Sequence, residues 1–508
     1  MPGASDPPAR ILDDAMPSDA LILAIDQGTT NSKALLVAAD GVVVAQASRP
    51  VAIDYPQAGW VEQDAQDIWR SVLACIDEVM DASAGASIAG IGISNQRETA
   101  VAWDRATGAP MGPAVSWQCR RSGRLVDDIR AAGHAAAITA RSGLPLDPGF
   151  TAGKWRWLID HAQDGVAHAA SGELCLGTVD TWLAWNLSGG RAHVTDVTNA
   201  SRTQLLNLDT VAWDPWLAEV FGLPLAALPR IEPSAHQITE TVAQGRLPAG
   251  IPVASLVGDS HAALFGHAAF GDGAIKATYG TGSSLMMPTR TRLPAVGGLA
   301  STVAWGATRT VFALEGNIYV TGAAVQWVAD FAGLAGPERV AELAAAVDDT
   351  DGVYLVPAFV GLGAPYWDDR ARGLVSGLTR GSRLEQLARA AIDAVAYQVR
   401  DVFDQMQSAS DGDLRLLLAD GGVTRNDQLM QFQADILDVP VRRNRTAELS
   451  AMGAAYLAGL ATGVWTSLEE IEALPRAVDR FEPAMAAAER SRRYDGWQEA
   501  ISRATLRP

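Results

Sequence analysis

Residues 21–34 read LILAIDQGTTNSKA. The apolar run Leu21–Ile25 ends at Asp26, small residues follow, and Ala34–Val37 begins a second apolar run. A strand, a tight Gly/Thr turn carrying an acid and a returning strand predict a β-hairpin. Such turns leave backbone N–H groups open, which is what a phosphate needs. The second half of the chain repeats the arrangement: Ala274–Thr278 leads into Tyr279-Gly280-Thr281-Gly282-Ser283-Ser284 and then apolar Leu285–Met287. A shared Gly-Thr turn is thin support for duplication when it stands alone.

Around these turns strands alternate with helices. Ile88–Ser94 and Ile251–Val257 read as strands, and Gln63–Met80 has helical spacing. Arg383–Met406 is the clearest helix, with Leu384, Leu387, Ala391, Val395, Val399, Val402 and Met406 three or four apart. Ser382 and Glu385 form a capping-box signature at its start. Leu414–Ala419 predicts a strand, Asp420-Gly421-Gly422 a turn and Asp427–Leu437 a helix. This is an α/β chain with glycines at strand ends, where open α/β sheets hold ligands. The domain boundary is expected near 260–270, just past Asp259.

The 508 residues are 48% hydrophobic and 19% charged, with a net charge of −18. That is a globular composition, long enough for about two to four domains. So acidic a chain lacks the basic footprint that nucleic acid or an anionic membrane requires, so neither is an expected partner. A small anionic substrate stays open, because a local pocket can be positive. Three widely spaced cysteines (Cys75, Cys119, Cys175) exclude a disulfide framework. The apolar stretch Leu449–Trp465 holds three glycines and reads as a buried helix. Residues 1–19 lack a signal-peptide pattern and read as a disordered extension, so a cytoplasmic location is expected. Of 40 basic residues only Lys33, Lys154 and Lys276 are lysines, and all three fall in or beside the segments singled out here.

No GxxxxGK[ST], strand-following GxGxxG or HExxH pattern occurs. P-loop enzymes, nicotinamide dehydrogenases and zincin-type proteases are therefore disfavoured. His261 and His267 read as packed helix residues. What remains is a set of turns and strand-end acids. Asp26, beside Gly28, Thr29 and Thr30, suits a metal–nucleotide or else caps a turn. Asp259 suits a proton acceptor for a substrate hydroxyl or a helix N-cap. Arg97-Glu98, after a buried strand, offers a donor fork and an acceptor pair for adjacent hydroxyls; a surface ion pair is the other reading. Gly421-Gly422 permits close approach of a nucleotide or forms a plain turn.

Taken together these segments resemble the FGGY carbohydrate kinases, most closely the glycerol kinase branch. The resemblance rests on ordered motifs: IDQGTTNSKA (25–34), GWVEQD (59–64), NQRETAVAWD (95–104), WQCRR (117–121), GTVDTWLAWN (177–186) and HVTDVTNASRTQL (193–205). It continues through GDSHAALFG (258–266), TYGTGSS (278–284), LEGNIYVTGAAVQW (314–327), GLGAPYWDDRARGLVSGLTRG (361–381), DGGVTRNDQLMQFQADIL (420–437) and MGAAYLAGLATG (452–463). It implies an α/β fold of two actin-like (ribonuclease H-like) domains flanking a catalytic cleft, residues 20–265 binding polyol and 266–508 binding nucleotide. It implies ATP and Mg²⁺, with Asp26 organising the metal and Asp259 as catalytic base. Gly28, Thr29, Thr30, Lys33, Thr281, Gly322, Gln326, Gly422 and Asn426 fall on nucleotide positions. Lys33 replaces the usual arginine, keeping the charge and losing the fork. A small polyol or sugar is the implied substrate, and a homodimer or homotetramer the implied assembly.

The polyol positions agree in part. Arg97, Glu98, Trp117 and Asp259 match the glycerol kinase pattern. Gly149 stands in place of a tyrosine, Ser260 of a glutamine and Ser284 of a phenylalanine. All three departures remove bulk, which implies a pocket widened for a substrate larger than glycerol, against a true glycerol kinase with compensating neighbours. From another class, an actin- or Hsp70-like ATP switch would share the nucleotide residues and need no polyol pocket.

Overall fold

The two Gly-Thr turns each sit at the tip of an antiparallel hairpin in the middle of its own sheet. This is seen in a computed structural model that describes residues 20–506 except 84, 272, 411 and 447. The extension expected over 1–19 lies outside the described residues.

The first sheet contains β1 (Leu21–Gln27), β2 (Asn31–Val37), β3 (Val43–Pro50), β4 (Ile88–Asn95), β5 (Ala235–Glu240) and β6 (Pro252–Gly258), in the order β5-β6-β4-β1-β2-β3. The second contains β7 (Ala274–Tyr279), β8 (Ser283–Thr289), β9 (Ala300–Gly306), β10 (Thr310–Ile318), β11 (Leu416–Asp420), β12 (Val441–Asn444) and β13 (Val478–Phe481), in the order β9-β10-β8-β7-β11-β12-β13. In each, the opening strand pairs antiparallel with its hairpin partner and parallel with a later strand. A second parallel strand and then an antiparallel one complete that side. This common order of pairings supports duplication far better than the Gly-Thr pattern does.

Eight helices support the sheets and the cleft residues: α1 (Ala65–Ala82), α2 (Thr151–His161), α3 (Val197–Ala200), α4 (Asp259–Gly266), α5 (Gly322–Phe331), α6 (Leu384–Ala409), α7 (Asp427–Leu437) and α8 (Leu449–Thr462). Asp64 caps α1 by accepting from Gln66 N, and Ile68, Val72, Cys75, Ile76 and Val79 form its buried stripe. At α6 the cap lies one residue later than the sequence predicts. Gln386 Oε1 accepts from Arg383 N at 3.0 Å, while the Ser382 hydroxyl accepts from Thr379 N.

Helix α8 is apolar on every side, and its packing explains why. It crosses β1, β4 and β6 of the first sheet and runs against α4. Contact is so close that a Cβ on Gly92 would lie 2.1 Å from the Ala454 carbonyl oxygen, and one on Gly453 1.8 Å from that of Ala262. A segment from the second half of the chain thus packs on the first lobe, and a cut near residue 265 divides the chain without dividing the packing. One apolar core, including Ile22, Val257, Phe265, Met286, Ala313 and Leu457, joins both lobes.

Strands β1, β4 and β6 are parallel, so their carboxyl ends share one sheet edge. Asp26 is in register with Ser94, and Ser94 with Val257. At a strand spacing of ~4.8 Å, two steps of the sheet separate Asp26 from the start of the Gly258-Asp259 segment by ~10 Å. The three cysteines are free and buried. Among the described residues no helix is long and apolar enough to cross a membrane.

Candidate active site

Five charged side chains from both lobes interlock at the edge where these strands end. Arg97 Nη1 donates to Glu315 Oε1 at 2.8 Å, and its Nε lies 3.1 Å from Asp259 Oδ1. Arg202 Nε donates to Glu98 Oε1 at 2.6 Å. Arg202 Nη1 lies 2.5 Å from Glu315 Oε2. Burial alone would favour neutral forms. The Glu315, Glu98 and Asp259 carboxylates overcome it and hold the Arg97 guanidinium more firmly protonated than usual. For Glu315 the charges of Arg202 and Arg97 likewise outweigh burial and keep its acidity well above that of an ordinary carboxyl.

Asp259 is the first residue of α4, with Gly258 as the cap residue. Its Oδ1 accepts from its neighbour Ser260 N at 2.6 Å, and its side chain is 40% exposed to the cleft. Gly258 is held in turn: its N–H donates to Thr198 Oγ1 at 2.9 Å, and Thr198 Oγ1 donates to the buried Asp196 Oδ1 at the same distance. A Cβ on Gly258 would lie 2.7 Å from Arg97 Cγ, so this glycine lets the arginine pass. Desolvation in the cleft outweighs the Arg97 charge and raises the Asp259 pKa above the usual carboxylate range. That direction suits an acid required to take up a proton.

Glu98 adopts a left-handed backbone (φ 60°). Its carbonyl accepts from Lys154 Nζ at 3.1 Å and from Thr151 Oγ1 at 3.3 Å. Lys154, on α2, is fully buried and also donates to the Gly149 carbonyl, so one ammonium ties together two walls of the expected polyol pocket. Lys276 is equally buried and donates to Ser260 Oγ at 3.3 Å. The Ser284 hydroxyl donates to Glu315 Oε1 at 3.2 Å. Beside Gly149 the Arg120–Asp147 pair closes at 2.7 Å, and across the cleft Tyr319 and Trp367 are exposed and packed edge to face at 6.2 Å.

The first Gly-Thr turn is braced from several sides. Gly28 N donates to the Asn31 carbonyl at 2.9 Å, and Val51 N to that of Thr30 at 2.8 Å. Trp117, 42% exposed, donates from Nε1 to Thr29 Oγ1 at 3.0 Å, linking an expected polyol position to an expected phosphate position. Gln63 and Gln96 form a buried amide network with Gln27 behind the turn. Asp26 Oδ1 accepts from Ser94 Oγ at 2.9 Å. Desolvation, opposed by that hydrogen bond and assisted by the Asp259 charge, pushes the Asp26 pKa up to about 6. Lys33, whose charge partly opposes this rise, also pairs with Glu448, its Nζ 2.6 Å from Oε2.

In the second lobe, Thr281, Gly322 and Gly422 converge. Thr321 N donates to the Thr281 carbonyl at 2.9 Å and Gly322 N to that of Gly280 at 3.0 Å. Gly421 (φ 97°) presses on Tyr279, where a Cβ would meet the carbonyl oxygen at 2.3 Å, while Gly422 faces open space. Gln326 bonds along its own helix to Asp330, and Asn426 caps α7 by accepting from Leu429 N. His267 bonds Asp420 at 2.8 Å, and His261 is buried.

Sequence reasoning singled out neither Glu315 nor Arg202. The available signal was a lone acid in the apolar run VFALEGNI and an arginine in HVTDVTNASRTQL. Lysine scarcity points to Lys154 and Lys276 in the sequence but assigns them no role.

Comparison with known proteins identifies the family. The N-terminal domain of the FGGY family of carbohydrate kinases matches residues 21–266, and its C-terminal domain matches 275–462. A glycerol kinase of Stenotrophomonas maltophilia (strain K279a) is 48% identical over 492 residues, 96% of this chain and 98% of that protein. Glycerol kinase 2 of Thermotoga maritima is 46% identical over 488 residues, 95% and 98% of the two chains. The crystal structure of Plasmodium falciparum glycerol kinase with ADP matches with a TM-score of 0.92 at 30% identity, covering 97% of this chain and all of that one (100%). A xylulose kinase from Rhodospirillum rubrum shares the fold, with a TM-score of 0.84 at 24% identity and coverage of 95% and 98%. The chain belongs to the FGGY family of carbohydrate kinases and is an ATP-dependent phosphotransferase.

Proposed function

We propose that this kinase phosphorylates a terminal hydroxyl of a polyol or ketose longer than glycerol. The observation that carries the reading is the set of small residues at Gly149, Ser260 and Ser284. Gly149 leaves the Arg120–Asp147 pair beside the pocket, and the two serines put hydroxyls next to Lys276 and Glu315. Those polar groups suit the additional oxygens of a longer chain better than a bare three-carbon substrate.

In this reading Arg97 and Glu98 hold the terminal diol. Asp259 takes the proton of the attacking hydroxyl, and its raised pKa and cleft exposure suit that role. Gly28, Thr29, Thr30, Lys33, Thr281, Gly322, Gln326, Gly422 and Asn426 surround the nucleotide. Asp26 fits a cation: burial and the Asp259 charge disfavour its carboxylate, and the Lys33 charge, which is also paired with Glu448, offsets them only in part. Among the described residues no group of three or more His, Cys, Asp or Glu is placed to hold a metal. Mg²⁺ does not need such a group, since it takes one or two carboxylates and completes its shell with phosphate and water. A cation held there by Asp26 would offset negative charge on the nucleotide phosphates.

The test is ADP release with glycerol, erythritol, threitol, erythrulose, ribitol, xylitol and xylulose. One methylene-sized contact is worth about 10–200-fold in kcat/KM, so at least one longer substrate should exceed glycerol by about tenfold. The second reading, glycerol itself, is favoured by the 48% identity to glycerol kinases. Glycerol outperforming every other compound would establish it and overturn the longer substrate.

A further inference from the structure

Glu315 lies on β10 of the second lobe with its side chain fully buried, and two first-lobe arginines converge on it. Arg97 gives it Nη1, and Arg202 reaches its other oxygen while holding Glu98 through Nε. Both residues read above as the diol clamp are therefore set through one carboxylate on the opposite side of the cleft. The strand that carries it is paired along its length with β8, where Met286 faces Glu315 and Ser284 faces Asn317. Strand β8 begins just after the turn that presents Thr281.

The chemistry of the guanidinium gives this placement a consequence. Arg97 divides its fork, Nη1 to Glu315 and Nε toward Asp259. Two fixed contacts on a planar group define its plane and hence the direction of Nη2. With the Glu315 charge removed, Asp259 is the carboxylate already beside Arg97, and the guanidinium turns toward it and away from the diol. Arg202 loses the same anchor and releases Glu98.

We propose that Glu315 is a positioning residue for the substrate: it orients Arg97 and, through Arg202, Glu98, and makes the diol clamp depend on the second lobe. The inference rests on reading Arg97 and Glu98 as that clamp.

The experiment compares E315Q, E315D and R97K with the wild type, using the best substrate from the panel. E315Q keeps the shape and removes the charge. Its KM for that substrate should rise at least about tenfold, while KM for MgATP stays within about twofold and kcat falls less than the substrate KM rises. ADP affinity measured by calorimetry should equal that of the wild type, showing an intact second lobe. Losing one partner of a buried ion cluster is destabilising, so if E315Q is not recovered folded, E315D takes its place. It keeps the charge, shortens the reach and should show the same split to a smaller extent. Equal rises in both KM values, or an unchanged substrate KM in a folded Glu315 variant while R97K raises it, would overturn the inference and leave the clamp standing. An unchanged substrate KM in R97K would overturn the clamp and this inference with it.

Discussion

Arg97 Nε stands 3.1 Å from Asp259 Oδ1, so the acid that faces the cleft is partnered by the arginine proposed to hold the substrate. The pair does not neutralise Asp259. Desolvation outweighs the Arg97 charge and still raises its pKa. Asp259→Asn keeps the shape and cannot take a proton. Loss of a general base costs about 10²–10⁴-fold in rate, so kcat should fall by that range while ADP binding persists. A variant that kept more than about a tenth of wild-type kcat, with chemistry rate-limiting, would show that Asp259 is not the base.

Asp26→Ala is expected to raise the Mg²⁺ concentration needed for half-maximal rate and to lower kcat, because the carboxylate that fits the cation is gone. A titration of rate against Mg²⁺ at saturating ATP checks this. An unchanged curve would reduce Asp26 to a partner of Ser94 at the hairpin tip.

Strand-end acids were legible because strand identity and residue chemistry are both local. Asp26 and Asp259 each follow an apolar run, and the parallel register brings the ends of those runs to one edge. Glu315 and Arg202 escaped because their meaning lies in distant partners. Arg97 and Glu315 are 218 residues apart, and Arg202 and Glu98 are 104 apart. No periodicity encodes such a pairing. The place of α8 was hidden for a related reason. A helix apolar on all sides has no face from which to read a direction, so its crossing of the first sheet and of α4 appears only in the packing at Gly92 and Gly453. The order of strands within each sheet is likewise absent from hydrophobic pattern, and it supplied the evidence for duplication that the Gly-Thr turns alone did not.

Gly453→Ala tests that packing. The new Cβ would lie 1.8 Å from the Ala262 carbonyl oxygen, so α4 and α8 must separate. Overpacking of a tight contact costs about 1–3 kcal/mol, which should lower the urea midpoint. Since α4 carries Asp259, kcat should fall as well. Unchanged stability would mean that the two helices yield easily at this crossing.

Lys154 gives a pH-dependent prediction. Burial, opposed by the Glu98 charge, lowers its pKa to about 7. In the unfolded chain a lysine titrates near ~10.4. Between these values the unfolded state binds a proton that the folded state does not. Stability therefore rises with pH across that window, by up to about 1.4 kcal/mol per unit. Lys154→Met removes the term. The wild type should gain Tm relative to the variant between pH 6.5 and pH 9, and a constant difference would mean that Lys154 titrates normally.

The pocket can be tested by rebuilding what it lacks. Gly149→Tyr, Ser260→Gln and Ser284→Phe together restore the bulk of the glycerol kinase pattern. The tyrosine needs room: a Cβ at 149 would lie 2.9 Å from Asp147 Oδ1, so that carboxylate must turn and loosen its hold on Arg120. The phenylalanine removes the hydroxyl from Glu315, and the glutamine amide takes the place of Ser260 beside Lys276. The ring supplies apolar contact to a three-carbon chain and leaves the extra oxygens of a longer one without room or partner. Each such contact is worth about 1–3 kcal/mol in discrimination. The ratio of kcat/KM for glycerol to that for the best longer substrate should therefore rise at least about tenfold over the wild type. The single changes should contribute unequally, with Gly149→Tyr the weakest until Asp147 has moved. If the triple variant stays folded and its ratio is unchanged, or shifts toward the longer substrate, these three positions do not set substrate length, and the width of the cleft is decided elsewhere.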